Sequence, residues 1–367
     1  MKMIIAILLC LMMLLVQRST SLVPKYVYVN CSNSTSSSGT GSTSADPCPT
    51  LSCALLQYAS SSGINITVYI APGSSCTGTG NENVVVNATG NSYNLIGQGL
   101  ASDVIIESSS YGNRAFFINN VITVTMTNIT FRNFYYVPDY NEDIVIEDSG
   151  GAIIIINSTS VSLQNMMFYN NSALLGGSAS LSSIELGVNV VSCIFQNNTG
   201  MIGGGALLIT YSNTNIVHSN FLSNQANGEN SESIDSSFYE GSGGAVLFYD
   251  DDYNTKVMTI IDCNFISNSA FSRGGAVYYH QSNESANEFS VYSSTFKNNS
   301  VFLTSSCASC DLEGGAVYID SRTAYFEEST FESNYGGLTS NSGSTDDESS
   351  LQVYIQFIVT LFSYSTY

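Results

Sequence analysis

The stretch FISNSAFSRGGAVYY, residues 265 to 279, joins a Phe-X-X-Asn step to a Gly-Gly-Ala-Val step. The same two steps recur in the stretch FQNNTGMIGGGALLI, residues 195 to 209. Two different steps that recur in the same order indicate a recurring structural unit. The fold can therefore be inferred from the shape that one such unit must take.

Six copies of each step occur in the chain. Asn follows Phe by three residues at Phe168, Phe195, Phe221, Phe265, Phe296 and Phe331, and Phe131 begins a degenerate earlier copy. The glycine pairs begin at Gly150, Gly176, Gly204, Gly243, Gly274 and Gly314. The shortest Phe-to-Phe spacings are 27 and 26 residues. A period in the twenties is typical of a solenoid, in which a single unit cannot bury its apolar face alone.

The local pattern within each unit is that of a strand. After each glycine pair, apolar residues alternate with a period of two, as at Val246 and Phe248 or Val277 and Tyr279. Runs such as NVVSCIF, residues 189 to 195, are rich in β-branched residues and end on the Phe. Gly and Asn tolerate positive φ and therefore suit the corners between strands.

Each unit is therefore predicted to be one coil of a parallel β-helix. Coils stack at the strand spacing of about 4.8 Å, so equivalent residues lie above one another. We expect a Phe column inside, an Asn ladder at one corner and a Gly-Gly column at another. The alternative is an antiparallel all-β protein, in which six paired copies would be coincidental.

The alternating GGA[IV] and FxxN motifs resemble the repeats of the chlamydial polymorphic outer membrane proteins, which belong with the pectin-lyase-like folds. The resemblance covers about residues 128 to 337 and implies an all-β, right-handed parallel β-helix. It says little about activity. Those proteins are placed in an outer membrane by a C-terminal domain, for which too few residues follow residue 337 here, so we do not expect that placement to apply.

Residues 1 to 21 read as a secretory signal peptide, with Lys2 before an apolar run from Met3 to Val16 and small residues near Ser21. An uncleaved anchor is the alternative. Cleavage would leave seven basic residues against 29 acidic ones, in a chain whose full-length formal net charge is -20. Such a chain cannot neutralise phosphates, which excludes nucleic acid as a partner.

Residues 22 to 75 are predicted to form an N-terminal cap with a short helix, because Leu51, Ala54 and Leu55 have helical spacing after Thr50 as a candidate N-cap. The stretch from Ile64 to Gly73 would then be the first strand. In an oxidising compartment, six cysteines are disulfide candidates: Cys31, Cys48, Cys53 and Cys76, which would staple the cap, and Cys307 and Cys310 in a loop. Cys193 and Cys263 precede the stacking Phe by two residues, so we expect both to face inward and to stay reduced.

The repeats are predicted to occupy residues 76 to 350, followed by a tail over 351 to 367. The tail alternates as LQVYIQFIVTL, which favours a terminal strand. An apolar lipid-anchor signal or membrane segment, or an incorrect gene end, are the alternatives. Sequons mark glycosylation candidates at Asn65, Asn87, Asn128, Asn157, Asn170, Asn197, Asn283 and Asn298, besides Asn30 and Asn33.

No catalytic set of side chains emerges from the sequence. His218 has no carboxylate neighbour in the chain, and His280 follows the inward Tyr279, so both are interpreted as surface residues. Asp250, Asp251 and Asp252 supply hard oxygen ligands for calcium, although consecutive side chains rarely converge on one ion. We expect no other cofactor.

Two binding surfaces are predicted. The first is an outward stripe through Leu208, Leu247, Tyr278 and Tyr318, each of which lies between two inward residues of its strand. The second is an edge formed by three insertions, residues 134 to 149, 225 to 242 and 300 to 313, all between a Phe step and the next glycine pair. Its candidate binding residues are Tyr135, Tyr136, Glu229 and Glu232.

The sequence therefore favours a secreted or cell-surface protein without catalysis that recognises a glycan or protein partner or has a structural role. A lyase or hydrolase that processes polysaccharides on the same fold is the alternative. A cationic or calcium-bridged partner would suit the acidic edge, and membrane attachment through the tail is a further alternative.

Overall fold

The computed structural model describes residues 22–32, 39–136, 148–228, 241–251, 256–281, 289–302, 314–321, 324–336 and 351–352. The predicted signal peptide, Cys307, Cys310, Asn33 and Asn283 lie outside these residues, as does the tail from residue 353. Strands dominate the described chain and stack into four long sheets, which confirms the parallel β-helix. We label the sheets A to D in the order in which each coil visits them.

Sheets A and B carry the first two sides of each coil. Sheet A contains β1 (Val23–Val29), β2 (Ile64–Ile70), β5 (Ser92–Gly97), β8 (Thr123–Thr127), β12 (Ser160–Gln164), β16 (Val188–Val191), β20 (Thr214–Val217), β24 (Met258–Ile261), β28 (Phe289–Tyr292) and β32 (Ala324–Glu327). Sheet B contains β3 (Ser74–Cys76), β6 (Val104–Glu107), β9 (Thr130–Arg132), β13 (Met167–Tyr169), β17 (Ile194–Gln196), β21 (Asn220–Leu222), β25 (Asn264–Ile266), β29 (Thr295–Lys297) and β33 (Thr330–Glu332).

Sheets C and D complete the coil. Sheet C contains β10 (Tyr135–Tyr136), β14 (Ser172–Leu175), β18 (Thr199–Gly203), β22 (Gln225–Ala226), β26 (Ser269–Ala270) and β30 (Ser300–Val301). Sheet D contains β4 (Val84–Asn87), β7 (Phe116–Asn119), β11 (Ile153–Ser158), β15 (Ala179–Ile184), β19 (Leu207–Thr210), β23 (Val246–Asp250), β27 (Val277–Gln281), β31 (Val317–Ser321) and β34 (Leu351–Gln352). All named strand pairs are parallel except β31 with β34.

The Phe steps form a continuous column inside the solenoid. Each Phe pairs with the equivalent Phe of the next coil, from Phe131 through Phe168 to Phe331. Neighbouring rings are 4.7 to 5.4 Å apart, and their planes lie within 14° of parallel. The spacing between coils is close to the distance at which aromatic rings stack. A Phe at this position can therefore fill the core and also stack on the Phe of the next coil.

The Asn steps form a buried hydrogen-bonded ladder at the corner between sheets B and C. The Asn198 Oδ1 accepts the backbone N–H and the side-chain Nδ2 of Asn171, each at 3.0 Å. The Asn198 Nδ2 also donates to the Phe168 carbonyl at 3.1 Å. The same arrangement continues from Asn198 through Asn224, Asn268 and Asn299 to Asn334.

The two glycines of each pair are required for different reasons. The first glycine has positive φ, as at Gly204 with φ of 60°, where a side chain would be strained. The second has ordinary φ but is in close backbone contact: a Cβ on Gly205 would overlap the Gly244 carbonyl and lie 2.6 Å from the Gln225 nitrogen. Gly205 therefore lies directly against the backbone of β22, the sheet C strand of the next coil.

A second internal ladder of small residues lies at the corner between sheets A and B. The Cys193 N–H donates to the Ser219 Oγ at 3.1 Å, and the Ser219 N–H contacts the Cys263 Sγ at 3.4 Å. The Cys263 N–H in turn donates to the Ser294 Oγ at 3.0 Å. Ser219 separates the two cysteines, and both are buried free thiols.

Cys193 and Cys263 are expected to resist alkylation in the folded protein. Burial raises the pKa of each thiol to about 12, and the thiolate is the reactive species. Iodoacetamide at about pH 8, far below that pKa, should leave both unlabelled until the chain is unfolded. Peptide mapping by mass spectrometry measures each site separately, and labelling of either in the native protein would contradict this assignment.

The N-terminal segment combines a cap with the first strands of the solenoid. A short helix, α1 (Leu51–Leu56), begins at the predicted N-cap Thr50, whose hydroxyl accepts the Cys53 N–H at 3.2 Å. Disulfides join Cys31 to Cys76 and Cys48 to Cys53. The expected first strand is in fact the second, because β1 already pairs in parallel with β2. Strands β1 and β2, which lie in the predicted cap, are thus the first two strands of sheet A.

The described C-terminal residues do not continue the stack of parallel coils. Residues 351 and 352 form β34, which pairs in antiparallel with Asp320 and Ser321 of β31. A regular coil would have added a parallel strand.

Candidate functional site

The three long insertions attach at one corner of the solenoid. Each leaves after a strand of sheet C and returns at a glycine pair before sheet D, between Tyr136 and Gly150, Ala226 and Gly243, and Val301 and Gly314. We call this place the insertion corner. The insertion interiors, including Glu229 and Glu232, lie outside the described residues.

Aromatic side chains form the base of the first insertion. Tyr135 and Tyr136, two of the predicted binding residues, are half-buried. The Tyr135 ring packs edge-on against Tyr111 at 5.3 Å between centroids. The Arg114 guanidinium lies 3.5 Å from the centroid of the Tyr136 ring, which places a buried cation on its face.

Apolar side chains form the base of the second and third insertions. Phe271 is buried, and Cβ atoms built on Gly228 and Gly241 would both collide with it. Its ring meets Phe302 of the next coil edge-on at 6.4 Å between centroids. The two ends of the second insertion are thus packed on one aromatic side chain, which fixes where that insertion leaves the solenoid.

The predicted exposed stripe is wrong, because all four of its residues are buried. Leu208, Leu247, Tyr278 and Tyr318 do point away from the Phe column, and they form a separate apolar cluster with 0 to 5% exposure. The glycine pairs cover them: a Cβ on Gly176 would lie 2.9 Å from the Leu208 Cβ. The Tyr278 and Tyr318 rings stack at 5.2 Å, and Arg273 lies 5.4 Å from the Tyr318 ring centroid.

A polar cluster lies beside this stripe on the outer row of sheet D, and the burial of His280 there contradicts its interpretation as a surface residue. His280 is buried, and its Nδ1 is 2.7 Å from the Asp320 Oδ2. The imidazole also stacks on Tyr249 at 5.0 Å. We call Tyr211, Tyr249, Asp251, His280 and Asp320 the sheet D cluster.

The aspartates proposed for calcium diverge. Asp250 is fully buried and accepts a hydrogen bond from Gln281 at 3.1 Å. Asp251 is exposed and accepts the hydroxyls of Tyr211 at 2.7 Å and Tyr249 at 3.3 Å. Burial, and then the Asp251 hydrogen bond, raise the pKa of Tyr211. Asp252 lies outside the described residues, and among those described no group of three His, Cys, Asp or Glu could hold a metal.

His218 also has a carboxylate partner. That partner is distant in the chain, so the residues next to His218 did not predict it. Its Nδ1 lies 2.8 Å from the Asp262 Oδ2 of the next coil, on the exposed corner between sheets A and B. Alignment of IVHSNF with IIDCNF would have placed these residues in one column. Likewise, alignment of GGAVYYH with GGAVYID places His280 over Asp320.

The described sequon asparagines lie mostly at corners. Asn170, Asn197 and Asn298 are exposed in one column between sheets B and C, and Asn87 and Asn157 are exposed at the end of sheet D strands. Asn128 and Asn65 are half-buried. The exposed positions are open to a glycan chain.

No protein-family model, curated protein or solved structure matches this chain. Within the residues that the structure describes, no helix has the length and apolar character needed to cross a membrane.

Proposed function

We propose that this chain is a secreted or cell-surface recognition protein without catalysis, and that its ligand binds at the insertion corner. The observation that carries the proposal is the attachment of all three long insertions to a single corner of a rigid cylinder. Binding residues concentrate on loops that a rigid scaffold holds in place. The apolar run that follows Lys2, interpreted as a secretory signal peptide, supports an extracellular location.

The chemistry of the insertions suggests the class of ligand. Glu142, Asp143, Glu147, Glu229 and Glu232 lie in them, within a chain whose formal net charge is -20. Acidic loops attract a cationic surface, or an anionic or neutral one through bridging calcium. A glycan or a protein of an extracellular surface is the partner we propose.

Shortening two insertions tests the proposal. Residues 134 to 149 and 225 to 242 would be replaced by the short connection found after Phe195, and residues 282 to 288, at the other end of sheet D, would be shortened as the matched control. Binding to a glycan array and to immobilised extracellular-matrix proteins, with and without calcium, should weaken at least about tenfold, or 1.4 kcal/mol, only when the insertion corner is trimmed. A folded trimmed variant that binds as well as the intact chain would refute the proposal.

A polysaccharide-processing enzyme is the second candidate, and one observation favours it. Asp320 holds His280 beside stacked tyrosines, and a carboxylate fixes the orientation and tautomer of an imidazole as general-base sites require. An assay for unsaturated products and reducing ends on neutral and acidic polysaccharides, run on the same preparation, distinguishes the two. Turnover that His280→Gln abolishes would establish the enzyme.

A further inference from the structure

The outer face of sheet A, from β1 to β32, consists of two parallel columns of side chains. The first column begins at Tyr26 and ends at Tyr325, and between them it is polar, with Thr67, Asn94, Thr125, Ser162, Asn189, Asn215, Thr259 and the buried Ser290. The second is largely apolar and contains Tyr28, Tyr69, Ile96, Thr127, Gln164, Val191, Val217, Ile261 and Tyr292. We call this surface the sheet A face.

The sheet A face carries no charge over most of its length. From β2 through β28, every residue in the two columns is uncharged, and a charge appears only at Glu327 of β32. The outer row of sheet B, by contrast, carries the ion pairs of Arg132 with Glu107 and Lys297 with Glu332. A neutral strip on a chain of net charge -20 is the place where a like-charged copy is repelled least.

Partly exposed apolar side chains run along the second column. Val191, Val217 and Ile261 are half-buried on three successive strands. Tyrosine pairs lie at both ends of the face: the Tyr28 and Tyr69 rings stack at 5.5 Å between centroids, and the Tyr292 and Tyr325 rings lie 5.6 Å apart with their planes tilted by 48°. Apolar side chains on successive outer strands, with polar neighbours, are typical of a protein–protein contact.

The size and the sequon pattern of the sheet A face fit a second copy of this chain. Ten strands at about 4.8 Å spacing make it about 43 Å long, and a width of about 15 Å gives about 650 Å². That is slightly below the roughly 800 Å² per partner of a standard interface, and it suits a reversible dimer. Among the outward residues of sheet A, Asn65 and Thr67 of β2 belong to one sequon at the N-terminal end, and none from β5 to β28 does.

We propose that two copies of this chain associate through the sheet A face, antiparallel and related by a two-fold axis. A two-fold axis brings the same surface of both copies together. The apolar columns then pack on each other, and the polar columns can exchange hydrogen bonds. The tyrosines of β1 and β2 in one copy would meet those of β28 and β32 in the other. The insertion corner lies between sheets C and D, so it stays open in such a dimer.

Sedimentation velocity of the secreted chain over a range of concentrations tests this assignment. We expect a monomer–dimer equilibrium that strengthens when NaCl is raised from about 20 mM to about 300 mM, because salt screens the repulsion between two acidic copies. Val217→Glu should weaken the dimer at least tenfold, since the two-fold axis places the new charge on both copies. Leu222→Glu, on the outer row of sheet B in the same coil, is the matched control.

Asn215→Asp adds a charge to the polar column without changing side-chain size, so it keeps the test valid if Val217→Glu does not fold. It should also weaken the dimer. A monomer at all concentrations, an equal effect of Leu222→Glu, or a dimer that salt dissociates would each overturn the proposal. A monomer that co-sediments with powdered cellulose, and loses this binding in Asn215→Asp, would assign the sheet A face to a neutral polysaccharide instead.

Discussion

Asn224→Ala is expected to lower the free energy of unfolding by about 4 kcal/mol, among the largest losses available to a single side chain here. The Asn224 Oδ1 accepts two hydrogen bonds from Asn198, and its Nδ2 donates to the Phe195 carbonyl at 3.0 Å. Alanine leaves the two Asn198 donors and that carbonyl buried without these partners. Each buried group that loses its partner costs about 1 to 3 kcal/mol.

The measurement is denaturant unfolding followed by circular dichroism, with Asn215→Ala as the control. Asn215 is exposed and donates one hydrogen bond, to the Asn189 Oδ1 at 3.2 Å, so its loss should change stability by no more than about 0.5 kcal/mol. Equal effects of the two substitutions would show that the ladder does not stabilise the coils.

Gly205→Ala is also expected to be strongly damaging, at about 3 kcal/mol or more, through steric overlap alone. The new Cβ would overlap the Gly244 carbonyl and lie 2.6 and 2.7 Å from the backbone nitrogen and oxygen of Gln225. These are all backbone atoms, so no side-chain rotation can relieve the contact. Sheets C and D would have to separate locally.

Gly73→Ala provides the contrast for this prediction. Gly73 has φ of 73°, and no heavy atom lies within 4 Å of the place that an alanine methyl would occupy. Alanine there should therefore cost only the backbone strain of about 1 kcal/mol. Comparison of the two variants by the same unfolding measurement separates close packing from conformational strain. A larger loss at Gly73 than at Gly205 would contradict the packing explanation.

The inward half of the fold could be predicted from the sequence because inward positions obey one rule. A side chain inside a stack must match the residue above and below it, so Phe, Asn and Gly recur at fixed steps. The position of Thr50 at the start of α1 followed from capping chemistry in the same way. The insertion corner could also be predicted, since all three insertions interrupt the same step of the repeat.

The outward-facing positions were harder to predict from the sequence, for two physical reasons. Alternation shows that Tyr278 points away from the core, but it does not show that the glycine corner covers that row. Partners across coils are close in space yet about 40 residues apart in the chain, as for His280 and Asp320. Only an alignment of complete repeats, insertions included, brings such pairs together.

The strands of every coil run across the solenoid, and this has a mechanical consequence. A pull on the two chain ends along the axis loads the hydrogen bonds between coils one coil at a time, so the protein should yield by peeling rather than by shear. Each released short coil of 26 or 27 residues would add about 9 nm of contour length. The Cys31–Cys76 disulfide closes a loop of the first coil and would withhold that length until it is reduced. A solenoid built this way would extend stepwise under tension, and its first coil would stay closed longest.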